Sequence, residues 1–518
     1  MRSLSAQRKG NELTLKTTPI ARCLAGLLLS TAAAVLIHGY HPYAEDAEIY
    51  LPGVLQRLNP ALFPANGEFF GEHAGHSLYP NLIAFSVRAT HLPLPWAALL
   101  WQLSSIFLLL AAAWRMASAL FPPSSEGNHS FDEPAHWGAV ALMTALLTLP
   151  IAGTFLYILD QFLNPRNLAA FAVLFAVAEL LLGKYARTVL WLSFAAAMHP
   201  FMAGFGILFC AWLVLLRRFQ PAAFGFAAIA LPFGITLDAP PPAYHQVALL
   251  QRSHFVLRWE WYEWLGVIGP VLIFWWLGGW AGRRRMKNLE LVSRAMVPFV
   301  VIAALAAIGL GIPARLEALT RLQPLRCMAL GTMILVVAGG GLLGRFVLRR
   351  ELWRWLFLFL PLSLAMFCAQ RQVFPASQHI EWPGAQPRNP WAQAFDWIRD
   401  HTPVDAFFAL NPAHMELPGE DENGFRARAQ RSMLADRVKD KGAASMFPPL
   451  SVLWSQQIAS QNGWEHFGQK DFDRLRQQYG VTWIVVEQRS AEIRTGGWPC
   501  PYENPVVRVC RIQATDIQ

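Results

Sequence analysis

Long apolar runs separated by short arginine-rich turns restrict this chain more than any other feature. Such runs recur at about 19–38, 80–92, 96–120, 137–156, 166–183, 186–199, 200–216, 221–237, 264–281, 292–312, 325–345 and 352–369. About 20 consecutive apolar residues span a bilayer as a helix rising 1.5 Å per residue. The turns between them hold Lys184–Arg187, Arg217-Arg218, Arg283–Lys287 and Arg345–Arg354. Short positive loops of this kind stay on the cytoplasmic side, so the basic excess orients helices and does not call for a nucleic-acid partner. With 54% hydrophobic and only 15% charged residues, the chain is too apolar for an ordinary soluble protein.

Orientation follows from these turns. Residues 1–18 are polar and basic, which places the N-terminus in the cytoplasm. A cleaved signal peptide is the rival reading, but the small residues Ser30–Ala34 lie inside the apolar run and not after it. Alternating crossings from residue 166 onward put 370–518 outside, which requires an odd number of spans. The segment 80–92 is short, carries Arg88 and His91, and ends in Leu92-Pro93-Leu94-Pro95, so it reads as interfacial. The expected count is then about eleven spans over 19–369. The longer loops, 39–79, 157–167, 238–263 and 313–323, all fall on the outer face with the tail. Chemistry tends to reside on such loops.

The tail has soluble composition. After a connector rich in proline, Asn389-Pro390 suits a helix start, and Trp391, Phe395 and Ile398 mark one face of a helix ending near Thr402-Pro403. Ala406–Leu410 and Val481–Val486 read as strands, and Phe472, Leu475 and Tyr479 as a helical stripe closed by Gly480. The fold class is therefore an α-helical polytopic membrane protein with a small C-terminal extracytoplasmic α/β domain at 370–518. Cys500 and Cys510 bridge a hairpin-like loop if the tail is exported, and are two free thiols otherwise.

The candidate chemistry starts at Glu45, Asp46 and Glu48, three carboxylates in four residues at a membrane exit. They either serve solvent and a helix dipole or include a general base for an acceptor group. On the same face, Asp160 and Arg166 flank Asn164-Pro165. They form a structural ion pair, or else Asp160 positions a cation or hydroxyl while Arg166 binds a phosphate. Arg252 and Arg258 lie among aromatic residues in the loop Tyr244–Glu263, and Arg315, Arg321 and Arg326 near the next span. These are either interfacial anchors or a mouth for a lipid phosphate. Glu68, Glu72, His73 and His76 lack a metal-ligand pattern, which leaves a divalent metal an open question. Phe425–Arg431 and Lys439-Asp440-Lys441 read as solvated faces, with contact to headgroups or an anionic acceptor as the alternative. No glycine-rich phosphate loop, GxSxG elbow or HExxH stands in a supporting context.

The acidic first outer loop with Glu45 and Asp46, about eleven spans and an exported α/β tail resemble the GT-C class of polyprenyl-phosphate-sugar-dependent glycosyltransferases. The segment Trp397–Ala406 resembles one found in many uncharacterised bacterial membrane proteins of this build. The resemblance implies a lipid-linked sugar donor, inversion at the sugar carbon, Asp46 or Glu45 as base, and a place in the cytoplasmic (inner) membrane. Asp160, Arg166, Arg252, Arg258 and Arg326 are the expected substrate-binding residues; the acceptor stays unnamed. The competing class is a transporter or envelope-assembly protein. Charges concentrated in outer loops, with no repeated halves, favour the enzyme.

Overall fold

The computed structural model describes residues 19–122, 134–218, 240–488 and 497–513. The N-terminal tail at 1–18 and the expected span at 221–237 lie outside the described residues. Helix α1 (Pro19–His38) leads into three short helices, α2 (Ala47–Leu58), α3 (Glu68–Gly75) and α4 (Tyr79–Thr90). The bundle continues with α5 (Leu94–Leu120) and α6 (Pro134–Ala145), followed by a small hairpin of β1 (Pro150–Ile151) and β2 (Leu156–Tyr157). Next come α7 (Pro165–Leu181), α8 (Tyr185–Met198), α9 (Pro200–Arg218) and α10 (Pro242–Leu250). The last four helices of the bundle are α11 (Trp261–Arg283), α12 (Lys287–Gly311), α13 (Met328–Leu342) and α14 (Leu352–Val373).

Among the described residues, 7 helical segments are long and apolar enough to cross a membrane. Helix α14 shows why hydrocarbon is their solvent: Trp353 is 62% and Phe357 79% exposed, and Leu360 67%. A stripe of that size facing water would be an aggregation surface, whereas lipid tails match it. The chain is a multi-pass membrane protein. Helices α6, α7 and α8 have only 12, 17 and 14 residues and pack among the longer ones. Gly138 of α6 and Gly340 of α13 let two backbones meet, since a Cβ on Gly138 would stand 2.2 Å from the Gly340 carbonyl. Helix α4, with 12 residues, is about 18 Å long, too short to cross.

Turns gather at the two ends of the bundle. At one, Arg217 donates to the carbonyls of Leu180 (2.9 Å) and Leu181 (3.2 Å), and Asn288 to that of Ala119 (2.9 Å). The opposite end receives the loop after α1, the 157–167 turn, the 252–263 and 313–327 loops, and the C-terminal region.

That region continues the chain through α15 (Pro390–His401), β3 (Phe407–Leu410), α16 (Phe425–Ala429), β4 (Ser432–Met433), α17 (Lys439–Met446) and α18 (Leu450–Ser460). It ends with α19 (Gln469–Tyr479), β5 (Trp483–Glu487), β6 (Tyr502–Glu503) and β7 (Val507–Arg511). The strands form one sheet in the order β4-β3-β5-β7-β6, parallel across β4-β3-β5 and antiparallel across β5-β7-β6. Alternation sends Phe408 and Val485 toward Trp391, Phe395 and Ile398 of α15, and Phe407, Ile484 and Val486 toward Phe472 and Leu475 of α19. Asn389 caps α15 as expected, accepting from the Trp391 and Ala392 amides. Gly480 closes α19 with φ 80°. Cys500 and Cys510 form a disulfide, so of the two sequence alternatives the bridge is the one present.

The loop after α1 is stitched to this region by backbone. Tyr40 bridges Ile380 and Ala44 bridges Asn423. Gly39, at φ 82°, lies so close to His379 that a Cβ would come within 2.4 Å of its carbonyl oxygen. His41 then reaches Glu381 at 3.1 Å. The loop after α1 and the C-terminal region are thereby held as one structure over one end of the bundle.

Candidate functional site

Two helix starts place the acidic residues. Asp46 occupies the N-cap position of α2 but makes no capping hydrogen bond, so its carboxylate is available to other partners. Glu45 is held at φ 57°, a left-handed conformation uncommon for this residue type. Its amide donates to the Glu422 carbonyl at 2.9 Å, which ties the strained turn to the tail. Two residues along a helix is a rotation of about 200°. Asp46 therefore looks one way and Glu48 the other.

The second start is α7. Asn164 accepts from the Asn167 amide at 3.0 Å, with Pro165 at the first helical position. This cap fixes both neighbours. Asn164 donates to Asp160 at 2.6 Å, and Gln102 of α5 donates to the Asp160 carbonyl at 2.7 Å. Arg166 then spans the gap, with Nη2 2.9 Å from Asp160 Oδ2 and Nη1 2.6 Å from Asp46 Oδ2. The tail supplies a third partner: Lys439 Nζ lies 2.5 Å from Glu45 Oε2 and 3.1 Å from Asp46 Oδ1.

The resulting electrostatics differ from one acid to the next. Burial alone would raise the Asp46 carboxyl, but Lys439 and Arg166 outweigh it and hold it well below the ordinary range. Glu45 is likewise lowered, with burial opposed chiefly by Lys439. Glu422 goes the other way: burial and then the charge of Glu45 push it up to about 9, so at neutral pH it is a carboxylic acid bonded to the Glu45 carboxylate. Burial would draw the Lys439 ammonium down, yet Asp46 and Glu45 hold it well above its ordinary value. Glu45, Asp46, Asp160, Arg166, Glu422 and Lys439 line one cavity of about 1550 Å³, and Glu48 does not.

The cavity has two unlike ends. At the loop end, Arg321, Arg326 and Lys441 also line it, and none of the three has a carboxylate within ion-pair distance among the described residues. The Arg326 Nε is buried without a hydrogen-bond partner. At the other end the lining is apolar, with Phe201, Phe205 and Trp212 on α9 facing Phe299, Ile302 and Ala306 on α12. From Phe201 to Trp212 this slot follows α9 for about 16 Å. Trp212 closes its far end through a 3.2 Å bond to the Ala295 carbonyl.

The expected site residues separate on this map. Glu45, Asp46, Asp160, Arg166, Arg252 and Arg326 converge on the cavity. Arg252 brings little free charge, since Glu260 (3.0 Å) and Glu263 (3.1 Å) both pair with it. Arg258 does not reach the cavity. Its guanidinium lies over the Phe255 ring at 5.6 Å and donates to the Leu249 carbonyl at 3.0 Å. His73 and His76 line the cavity while Glu68 and Glu72 do not, and burial lowers His73 to about 4. Among the described residues no group of three or more His, Cys, Asp or Glu is arranged to hold a metal ion. Lys439 and Glu422 are the site groups that the sequence reading missed. The run Lys439-Asp440-Lys441 looks like a solvated face, and only its distance from the acidic loop, nearly 400 residues back, conceals its role.

No protein-family model matches this chain, and no curated protein matches it. Among solved structures it is similar to an archaeal oligosaccharyltransferase, AglB from Archaeoglobus fulgidus, in complex with an inhibitory peptide and a dolichol-phosphate. The match has 10% sequence identity and a TM-score of 0.42, and covers 90% of this chain and 69% of that one.

Proposed function

We propose that this protein is a membrane glycosyltransferase of the GT-C kind, moving a sugar from an isoprenoid-phosphate donor to an acceptor on the outer face of the cytoplasmic membrane. The observation behind this reading is the two-ended cavity. Uncompensated cations at one end and an apolar slot running down the bundle at the other are what an anionic lipid requires. Arg326 and Arg321 hold the donor phosphate, the slot takes the first part of the lipid chain, and Arg166 shifts between Asp46 and the incoming phosphate.

Asp46 is the base. Two cations keep it ionised at any physiological pH, and an ionised carboxylate can only accept, which suits a group awaiting the proton of an attacking hydroxyl or amine. While both cations remain in place it is a weak base. Drawing Arg166 toward the donor phosphate removes one of them and strengthens it. Proton transfer is thereby linked to donor binding. Glu45, bonded to Lys439 and Glu422, supports Asp46 in this arrangement. Eleven spans with the N-terminus in the cytoplasm and the C-terminal domain at 370–518 outside complete the proposal.

The test is transfer of labelled sugar from a prenyl-phosphate donor by the full chain reconstituted in lipid. Wild type should form product, and Asp46→Asn should lose it while still inserting and folding. Undiminished transfer by Asp46→Asn rules out the assignment of the base.

A further inference from the structure

The sequence leaves a divalent metal open for this site, and the carboxylates at the loop end are the groups it would use. A hard divalent cation takes six or more oxygens at about 2.0–2.6 Å. Four of these oxygens already have partners. Asp46 gives Oδ1 to Lys439 at 3.1 Å and Oδ2 to Arg166 at 2.6 Å. Asp160 Oδ2 is shared by Arg166 at 2.9 Å and Asn164 at 2.6 Å. Glu45 Oε2 is 2.5 Å from Lys439. Neither cation is a mobile surface group, because the Lys439 and Arg166 side chains are 10% and 11% exposed. Lys439 is also fixed from behind, its amide donating to Asp436 Oδ1 at 2.6 Å at the start of α17. A metal would therefore have to enter beside two buried positive charges and take oxygens away from them.

We infer that Lys439 is the resident cation of this site, and that its ammonium occupies, between Glu45 and Asp46, the place a divalent metal would otherwise take. Two consequences follow. The carboxylates are held ionised and apart without metal, so the loop end is organised before any substrate arrives. The organising charge also comes from α17, so the membrane helices alone leave the site incomplete until the C-terminal region is docked. Lys439 is a positioning residue here, acting on Glu45 and Asp46.

The inference concerns the site proposed above, but its test needs no donor or acceptor. The full chain in lipid nanodiscs is titrated with Mn²⁺ and with Mg²⁺ while unfolding is followed by tryptophan fluorescence. Wild type should show no saturable rise in Tm. Lys439→Gln should acquire one with Mn²⁺, and adding Asp46→Asn to that background should abolish it. A merely structural lysine predicts lower stability and no new metal response. A saturable rise in wild type that Asp46→Asn removes overturns the inference, as does a folded Lys439→Gln protein that stays unresponsive. If Lys439→Gln does not fold, wild type and Asp46→Asn decide the matter between them. Absence of sugar transfer would count against the proposed reaction and leave these readings unaffected.

Discussion

Two ionic clusters begin on the same turn of α2 and end on the same turn of α17, yet their surroundings differ in kind. Asp46 meets Lys439 at the cavity wall, where the two side chains are 25% and 10% exposed. Glu48 and Asp440 meet Arg426 in a sealed contact, with side chains 0%, 1% and 2% exposed. In the sealed cluster, Arg426 binds Asp440 through Nη2 at 2.7 Å and Glu48 through Nη1 at 3.1 Å, and the Ala427 amide donates to Glu48 at 3.0 Å. A Cβ on Gly424 would stand 2.7 Å from Glu48 Oε2, so no room is left for a ligand. The same residue types, one helical face apart, line an open cavity on one side and make a weld on the other. Access, not composition, separates the two roles.

Substitutions can break this contrast. The largest effect is expected at the cavity wall: Asp46→Asn should reduce kcat per folded molecule by about 10²–10⁴-fold, the usual contribution of a positioned base, with a smaller loss of Tm because Lys439 keeps Glu45 and Arg166 keeps Asp160 as partners. The sealed cluster should give the reverse. Arg426→Met leaves Glu48 and Asp440 buried without their cation, a change that costs about 3–5 kcal/mol and should lower stability and yield while donor affinity per folded molecule is retained. If Arg426→Met instead lowers kcat in a fully stable protein, the division between the clusters is wrong. A smaller effect is expected among the cavity cations. Arg326→Gln removes a charge-assisted contact of about 1.5–3 kcal/mol, or a roughly ten- to hundredfold loss in donor affinity. Arg258→Gln, off the cavity, should stay within about twofold of wild type by the same titration.

The sequence made one half of this contrast legible. Carboxylates at the end of a membrane span are costly, and Asn164-Pro165 signals a helix start by its chemistry, so Asp46, Asp160 and Arg166 stand out locally. The helix at 390–401 and the strands at 407–410 and 483–487 follow from their own periodicity. Partners from distant chain segments carry no such mark. Nothing near Lys439 tells that it faces Asp46, and nothing near Arg426 tells that it buries Glu48. Arg252, Arg258 and Arg326 look alike as arginines in loops between apolar runs; only packing shows one neutralised, one turned away and one unpaired among the described residues. The short helices α6 and α7 likewise reveal themselves as interior elements only through the longer helices around them.

The subtlest consequence lies in the proton balance of the sealed cluster. One guanidinium faces Glu48, Asp440 and Asp436, so negative charge is in excess. Burial, only partly offset by Arg426, pushes Glu48 up to about 8, and burial similarly pushes Asp440 up to about 6. An unfolded glutamate has its carboxyl near 4.5. Between about 4.5 and 8 the folded chain therefore holds a proton at Glu48 that the unfolded chain has released. When folding takes up protons, stability falls as pH rises, so the share due to Glu48 declines across that window. Asp46, with its carboxyl lowered, has the opposite sign, and its share is lost only as pH falls below the ordinary carboxylate range. Glu422 adds to the decline and His73 opposes it, so a single profile would mix these terms. The difference between Glu48→Gln and wild type isolates one of them. Glutamine cannot ionise, and its amide oxygen still accepts from Ala427. The Tm of Glu48→Gln relative to wild type should therefore improve steadily from pH 5 to pH 8, while transfer activity at either pH changes little. A Tm difference that stays constant over that range would mean that Glu48 is already ionised in the fold, and the sealed cluster would then be a simple ion pair like the one at the cavity wall.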